Sequence, residues 1–167
     1  AGQNQYLLDG IPIYSPAHLG GMFSALNPRV LESATVHAGQ FPARHGGRLS
    51  SVLQAEMKSS PDTSLARAHL SMLSASLSSA KQFGDTFVLA GFRRTYLDPV
   101  MIAADIDLRY NFRDAYLKVR QELGHGYQLS LTGFAARDYY GELARGQDGL
   151  DPLYRWGNRL GALRLVK

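Results

Sequence analysis

Cysteine is absent from this chain of 167 residues, which excludes a disulfide framework, a thiolate zinc site and a cysteine nucleophile. Long apolar runs are absent too. The best of them, residues 99–106, carries Asp105 and falls far short of the roughly 18–20 residues that a transmembrane helix requires. The opening AGQNQYLLDG has neither a basic n-region nor an apolar h-region, so a role outside the cytoplasm predicts an export signal upstream. Dense Lys/Arg blocks are missing. The 18 basic and 14 acidic residues give a net charge of +4 scattered along the chain, and nucleic acid is not an expected partner. With 45% hydrophobic and 19% charged residues, the composition is that of a folded protein rather than a disordered tail.

Motifs that carry chemistry are equally sparse. His18, His37, His45, His69 and His125 show no metal-ligand spacing and form no HExxH pair, so isolated turn or surface histidines are expected, with no metal and no cofactor. No GxSxG elbow accompanies the serines. Residues 46–51, GGRLSS, lack the Lys and the spacing of a phosphate-binding loop. Asp105 and Asp107 fall in an expected solvated loop. These features predict a protein that is not an enzyme.

What the chain does contain changes texture along its length. Residues 1–57 mix short elements. A run at Tyr6 to Leu8 ends at Asp9-Gly10, a turn pair that tolerates positive φ. An extended segment follows at 11–14, because Pro12 biases Ile11 away from helix. Residues 18–22 read as a loop containing Gly20 and Gly21. Asn27-Pro28 reads as a helix start, with one helical turn over 29–32. Strands are expected over 33–38 and 48–57, separated by glycines that include Gly46 and Gly47. This is the pattern of a small α+β domain. Residues 58–64, KSSPDTS, form a polar linker.

Beyond the linker, over 65–167, strands alternate with polar turns. In 127–136, Tyr127, Leu129, Leu131 and Gly133 share one face while Gln128, Ser130 and Thr132 share the other. In 115–123, Ala115, Leu117 and Val119 oppose Tyr116, Lys118, Arg120 and Glu122. That period of two marks strands with one apolar and one wet face, joined by a tight turn at Gly124-His125-Gly126. Further strands are expected over 86–94, over 156–166, and over 66–78, with a bulge near Met72-Leu73 and a connection at 79–84. These five strands of about ten residues match the length of a tilted strand crossing a bilayer. Longer connections at 95–111 and 138–152 alternate with short ones, as in outer-membrane barrels. Tyr96, Tyr110, Phe112, Tyr139, Tyr140, Tyr154 and Trp156 are candidates for an interfacial aromatic girdle. A soluble β-sandwich with tyrosines at its rim is the competing reading of the same pattern.

The segments LLDGIPIYSP, FSALNPRVLESATVHAG and FPARHGGRLSSVL, in this order, resemble the C-terminal half of the plug domain of TonB-dependent outer-membrane receptors. FRRTYLD and YRWGNRLGALRL look like early barrel strands of the same proteins, nearest the SusC-like or carboxypeptidase-regulatory-domain-bearing branch. The resemblance implies a mainly β chain: an α+β plug remnant followed by antiparallel strands of an incomplete transmembrane β-barrel. In that family a plug closes a barrel of about 22 strands. The resemblance also implies energy-coupled uptake of a bulky ligand (siderophore, cobalamin, glycan or peptide) across the cell outer membrane. Implied partners are the rest of the barrel of the same polypeptide, outer-membrane lipid, the ligand, and the TonB complex acting through an N-terminal box.

In FPARHGGR, Gly46 and Gly47 are expected to turn the backbone. Arg44 and Arg48 are candidates for ion pairs between plug and barrel wall, since a buried arginine needs a carboxylate; the alternative is that both are solvated loop charges. Asp9 and Gly10 are expected as a structural turn. The family's signal peptide, TonB box, first plug half and later strands are not found in this sequence, and five strands cannot close in lipid without unpaired backbone. The expectation is therefore a fragment of a longer protein. From another class, a small β-rich outer-membrane or secreted adhesion module, binding through 95–111 and 138–152, is the alternative. An outer-membrane hydrolase barrel lacks a nucleophile constellation.

Overall fold

A computed structural model describes residues 4–38, 51–62, 66–106, 108–143 and 150–167. The chain is mainly β: these residues hold twelve strands and a single short α-helix. Among them, no helix is long and apolar enough to cross a membrane.

The N-terminal unit is built on β1 (Asn4–Leu8), β2 (Ile11–Ile13), β5 (Leu31–Ala38) and β6 (Ser51–Met57), which form a mixed sheet in the order β2-β1-β6-β5. β1 runs parallel to β6 and antiparallel to β2. Leu8 pairs with Ile11, leaving Asp9 and Gly10 as a two-residue turn with φ of 49° and 80°. Positive φ at both positions is what a hairpin turn matched to strand twist demands. Two further strands, β3 (Ala17–His18) and β4 (Phe23–Ser24), make a small hairpin beside this sheet.

The second unit is a six-stranded antiparallel meander: β7 (Arg67–Leu70), β8 (Ser74–Phe83), β9 (Thr86–Thr95), β10 (Leu108–Gly124), β11 (Tyr127–Leu143) and β12 (Leu150–Val166). Between β9 and β10 lies α1 (Leu97–Ala103). The hairpin of β10 and β11 turns through His125 and Gly126, both at positive φ.

Several local expectations are corrected. Residues 66–78 are not one bulged strand, because the chain reverses at 71–73 to give β7 and β8, and the sheet has six strands rather than five. The cause is Ser71. Its Oγ accepts the N–H of Ser74 at 3.0 Å, and its own N–H donates to the Ser74 carbonyl at 2.9 Å. Such a side-chain turn competes with the extended ladder. The expected connection at 79–84 lies mostly inside β8, and the reversal falls at Gly84-Asp85.

The expected turn after Asn27-Pro28 is present but ends earlier than residue 32. Asn27 Oδ1 accepts the Arg29 N–H at 3.1 Å, the Val30 N–H donates to the Asn27 carbonyl at 3.1 Å and the Leu31 N–H to the Pro28 carbonyl at 3.3 Å, and β5 starts at Leu31. The expected loop 95–111 contains α1 and the start of β10. The expected loop 138–152 is consumed largely by β11 and β12, which like β10 run to 17 residues rather than about ten.

The two units share one core. Leu8, Ile13, Val30 and Met57 of the N-terminal unit pack with Phe87, Leu89, Tyr116 and Phe134 of the meander. A second apolar cluster joins Leu97 of α1 to Tyr110 and Phe112. The N-terminal unit thus covers one face of the meander, here called the inner face. On the outer face Leu77, Phe92, Leu117, Leu131 and Leu163 are exposed, at 54%, 46%, 40%, 41% and 68%. An aromatic girdle is not formed as expected. Strand parity turns Tyr110, Phe112, Tyr140, Tyr154 and Trp156 to the inner face, while Tyr139 faces out.

Candidate functional site

Alternation along β10 places Tyr110, Phe112, Asp114 and Tyr116 in succession on the inner face, and all four are buried. Register adds two more inward residues: Arg93 of β9 lies opposite Asp114, and Asp138 of β11 lies opposite Phe112. Into this patch the β3–β4 hairpin inserts His18, which is 1% exposed. The hairpin can project it because Leu19, Gly20 and Gly21 all take positive φ directly after it.

His18 sits between two carboxylates. Its Nδ1 lies 2.9 Å from Asp138 Oδ2 in a hydrogen bond. Its Nε2 lies 2.8 Å from Asp114 Oδ1, off hydrogen-bond alignment, so that approach is an ionic contact. The ring stacks on Phe112 at 3.9 Å between centroids and 6° between planes. Arg93 donates from Nε to Asp114 Oδ2 at 2.7 Å, also contacts it through Nη2, and donates to the Ser24 carbonyl at 2.7 Å. Tyr110 donates its hydroxyl to Asp138 Oδ1 and accepts the Leu19 N–H at 2.6 Å.

Charge bookkeeping explains the protonation state. Burial by itself favours the neutral imidazole, but contact with Asp114 and Asp138, and their charges, outweigh it and raise the His18 pKa above its ordinary value. Protonated, His18 and Arg93 balance Asp114 and Asp138. Two carboxylates without two cations would be far costlier in such a site.

A second set of ties surrounds the Asp9-Gly10 turn. Asp9 Oδ1 accepts the Met57 N–H at 2.8 Å, and Oδ2 lies 3.1 Å from Lys118 Nζ and 3.2 Å from Thr132 Oγ1. Lys118 also donates to the Met57 carbonyl at 3.0 Å, and Arg164 donates to the Asp9 carbonyl at 3.0 Å. Asp9 is therefore both a turn residue and a contact to the meander. Beside it opens a cavity of about 520 Å³ between the units, lined by charged and polar groups such as Glu56, Lys118 and Arg120. Tyr116 adds a further tie, donating to the Ala25 carbonyl and accepting the Asn27 N–H at 3.0 Å. Asn158 of β12 makes two hydrogen bonds with the Ser15 backbone, at 3.1 and 2.6 Å.

Of the residues singled out in the sequence, Arg44, Arg48, Gly46 and Gly47 lie outside the described residues, as does His45. Asp9 and Gly10 form the turn described above. His18 is corrected: it is neither isolated nor at the surface, because two acidic side chains of the meander require a cation there. A signal for it exists in YNFRDAY, where the period of two sets Asp114 on one face with Tyr110, Phe112 and Tyr116; if that face is covered, the carboxylate needs a partner. Which residue supplies that partner is set by tertiary structure alone.

Among the described residues, no group of three His, Cys, Asp or Glu side chains is arranged to hold a metal ion. His18 illustrates why, since its two nitrogens face opposite carboxylates and cannot converge with both on one ion. What this constellation does chemically is hold: it fixes one unit against the other through charges and hydrogen bonds that titration or displacement can break. No family model, no curated protein and no solved structure matches the chain.

Proposed function

We propose that the chain is part of a TonB-dependent outer-membrane transporter, with residues up to 57 forming the C-terminal part of a plug and residues from 66 forming the first strands of its barrel. Its role on this reading is energy-coupled uptake of a bulky ligand such as a siderophore, cobalamin, glycan or peptide, with no reaction performed on the ligand. Energy arrives from the TonB complex through an N-terminal box outside these residues.

One observation supports the reading: the meander carries large apolar side chains on its uncovered face as well as on the covered one. The inner face joins the shared core and holds the buried His18, Asp114, Asp138 and Lys118 contacts, while Leu77, Phe92, Leu117, Leu131 and Leu163 stand exposed on the outer face. Apolar-out and polar-in alternation around a lumen is the arrangement that lipid selects. The short reversals at Gly84-Asp85 and His125-Gly126 lie at one end, and the longer connections lie at the other, beside the short reversal at 71–73. The reading also requires more strands. The meander ends at β7 and β12, and an open edge in lipid leaves unsatisfied backbone groups.

The test is the size and location of the native product. Detection in the outer-membrane fraction, as a species several times longer than these 167 residues, is expected. A soluble native product of about this length would overturn the transporter and promote a small adhesion or binding module.

A further inference from the structure

The outer face of the meander carries a row of arginines at the end nearest the long connections. Arg113 of β10 is directly opposite Arg94 of β9 on one side and Arg137 of β11 on the other. One step further, Arg155 of β12 lies opposite Tyr139. All four share the outward parity of Leu117 and Leu131. The outward positions of β9 over 86–94, β10 over 109–121 and β11 over 127–139 include no Asp or Glu. None of the ion pairs among the described residues involves Arg94, Arg113, Arg137 or Arg155.

Like charges directly opposite each other in a ladder repel, so this arrangement is unfavourable until an anion joins it. Three of the four side chains nonetheless gather at Tyr139. Tyr139 accepts from Arg113 at 2.7 Å and from Arg137 at 3.3 Å, and its ring lies 5.4 Å from the Arg113 guanidinium and 5.7 Å from that of Arg155. Next to them is a cavity of about 330 Å³ lined by Arg94, Arg109, Asn111, Arg113 and Tyr139 among others, with no carboxylate among the described residues that line it, while Asp98 of α1 accepts from Asn111 Nδ2 at 3.2 Å. Guanidinium forks match phosphate geometry with paired hydrogen bonds. Below the row, toward the short turns, the same face becomes apolar through Phe92, Leu117 and Leu131.

We infer that this row and its cavity form a binding site for a phosphate-bearing lipid headgroup in the leaflet next to the long connections. The acyl chains lie along the apolar band beneath. The inference rests on the outer-membrane reading above, since lipid meets this face only if the face is embedded.

The experiment uses the full-length protein in non-ionic detergent, titrated with diphosphorylated lipid A and with the same lipid after phosphate removal, and read by native mass spectrometry. Substituting all three in-register residues, Arg94→Gln, Arg113→Gln and Arg137→Gln, is expected to weaken diphosphorylated lipid binding about 10- to 100-fold. The dephosphorylated lipid should bind the unaltered protein as weakly as the intact lipid binds the variant. Lys81→Gln, on the same face at the opposite end, should leave binding unchanged.

Inorganic phosphate at millimolar concentration should fail to compete; full competition would identify a free-anion site and overturn the lipid assignment. Equal binding by the triple variant and the unaltered protein would overturn the site itself. Flotation with phosphatidylcholine vesicles tests the underlying reading separately. Protein that floats without arginine-dependent selectivity defeats this inference alone, and protein that does not float defeats the barrel.

Discussion

His18 Nδ1 and Asp138 Oδ2 meet at 2.9 Å although 120 residues separate them along the chain. One belongs to a two-residue strand in the N-terminal unit and the other to a 17-residue strand of the meander. Both are almost wholly buried. Their contact, with Asp114 and Arg93 completing the charge balance, is the main polar tie between the two units.

Removing one member of such a group leaves a buried charge without compensation, which costs about 3–5 kcal/mol. Asp138→Asn keeps the shape and deletes the charge. It should loosen the β3–β4 hairpin, read as faster amide exchange in a peptide covering 15–27 of the intact protein. Unchanged exchange there would mean that the apolar core alone seats the unit.

The same tie should respond to pH with a definite sign. The pKa of His18 is raised in the folded protein, so its stabilisation is fully present below the unfolded value of about 6.5 and is lost as pH rises through the higher folded value. Asp114 and Asp138 face the ring from β10 and β11, with Arg93 reaching it through Asp114 and Tyr110 through Asp138. Unfolding midpoints in urea should therefore fall as pH rises above about 6.5, relative to a His18→Gln variant that removes the titration. Parallel pH profiles for the two proteins would reject the assignment.

Much of the meander is legible in the sequence because its signal is local. Leu117 and Val119 against Lys118 and Arg120 mark two faces with no knowledge of what covers either, and His125-Gly126 marks the reversal. The inner site is less legible. Asp114 shares the period of two with Tyr110, Phe112 and Tyr116, but the sequence does not say which face is covered, and His18 reads as one histidine among five until the hairpin carrying it is docked. Ser71 misleads for a related reason: an alternating run interrupted by a slip fits a bulge as well as a reversal, and the choice depends on a side-chain hydrogen bond that composition does not reveal.

Asp9 has two roles that substitution can separate. Asn tolerates the left-handed backbone at φ 49° but cannot pair with Lys118, so Asp9→Asn should retain the turn and lose about 1–3 kcal/mol from the tie and its leftover buried ammonium. Combined with Lys118→Met, the losses should be less than additive, since each change deletes the same 3.1 Å contact. Strict additivity in denaturant titrations would show that Asp9 and Lys118 are not coupled, leaving the Met57 N–H and Thr132 as the partners of the Asp9 side chain.

Gly91 is required on the inner face for a steric reason. A Cβ there would stand 2.4 Å from Val30 Cγ1, so the side chain that seats the N-terminal unit against β9 would collide with the sheet. Gly91→Ala should destabilise by about 1–3 kcal/mol through overpacking. Adding Val30→Ala should return part of that loss despite shortening a buried side chain. A double variant no better than Gly91→Ala would show that the collision is relieved elsewhere.

Leu131 gives the sharpest division between an embedded and a solvated outer face. It is 41% exposed at an outward position of β11. In water, replacing an exposed leucine on a sheet surface by arginine changes stability by within about 0.5 kcal/mol. At the middle of a bilayer the same change costs about 2–4 kcal/mol. Leu131→Arg should therefore reduce the fraction of full-length protein that assembles in the outer membrane, scored by heat-modifiable gel mobility. Gln128→Arg, three residues earlier but facing the polar cavity between the units, should assemble normally. If both variants assembled like the unaltered protein, the outer face would be wet, and its leucines would need a protein partner rather than lipid to explain them.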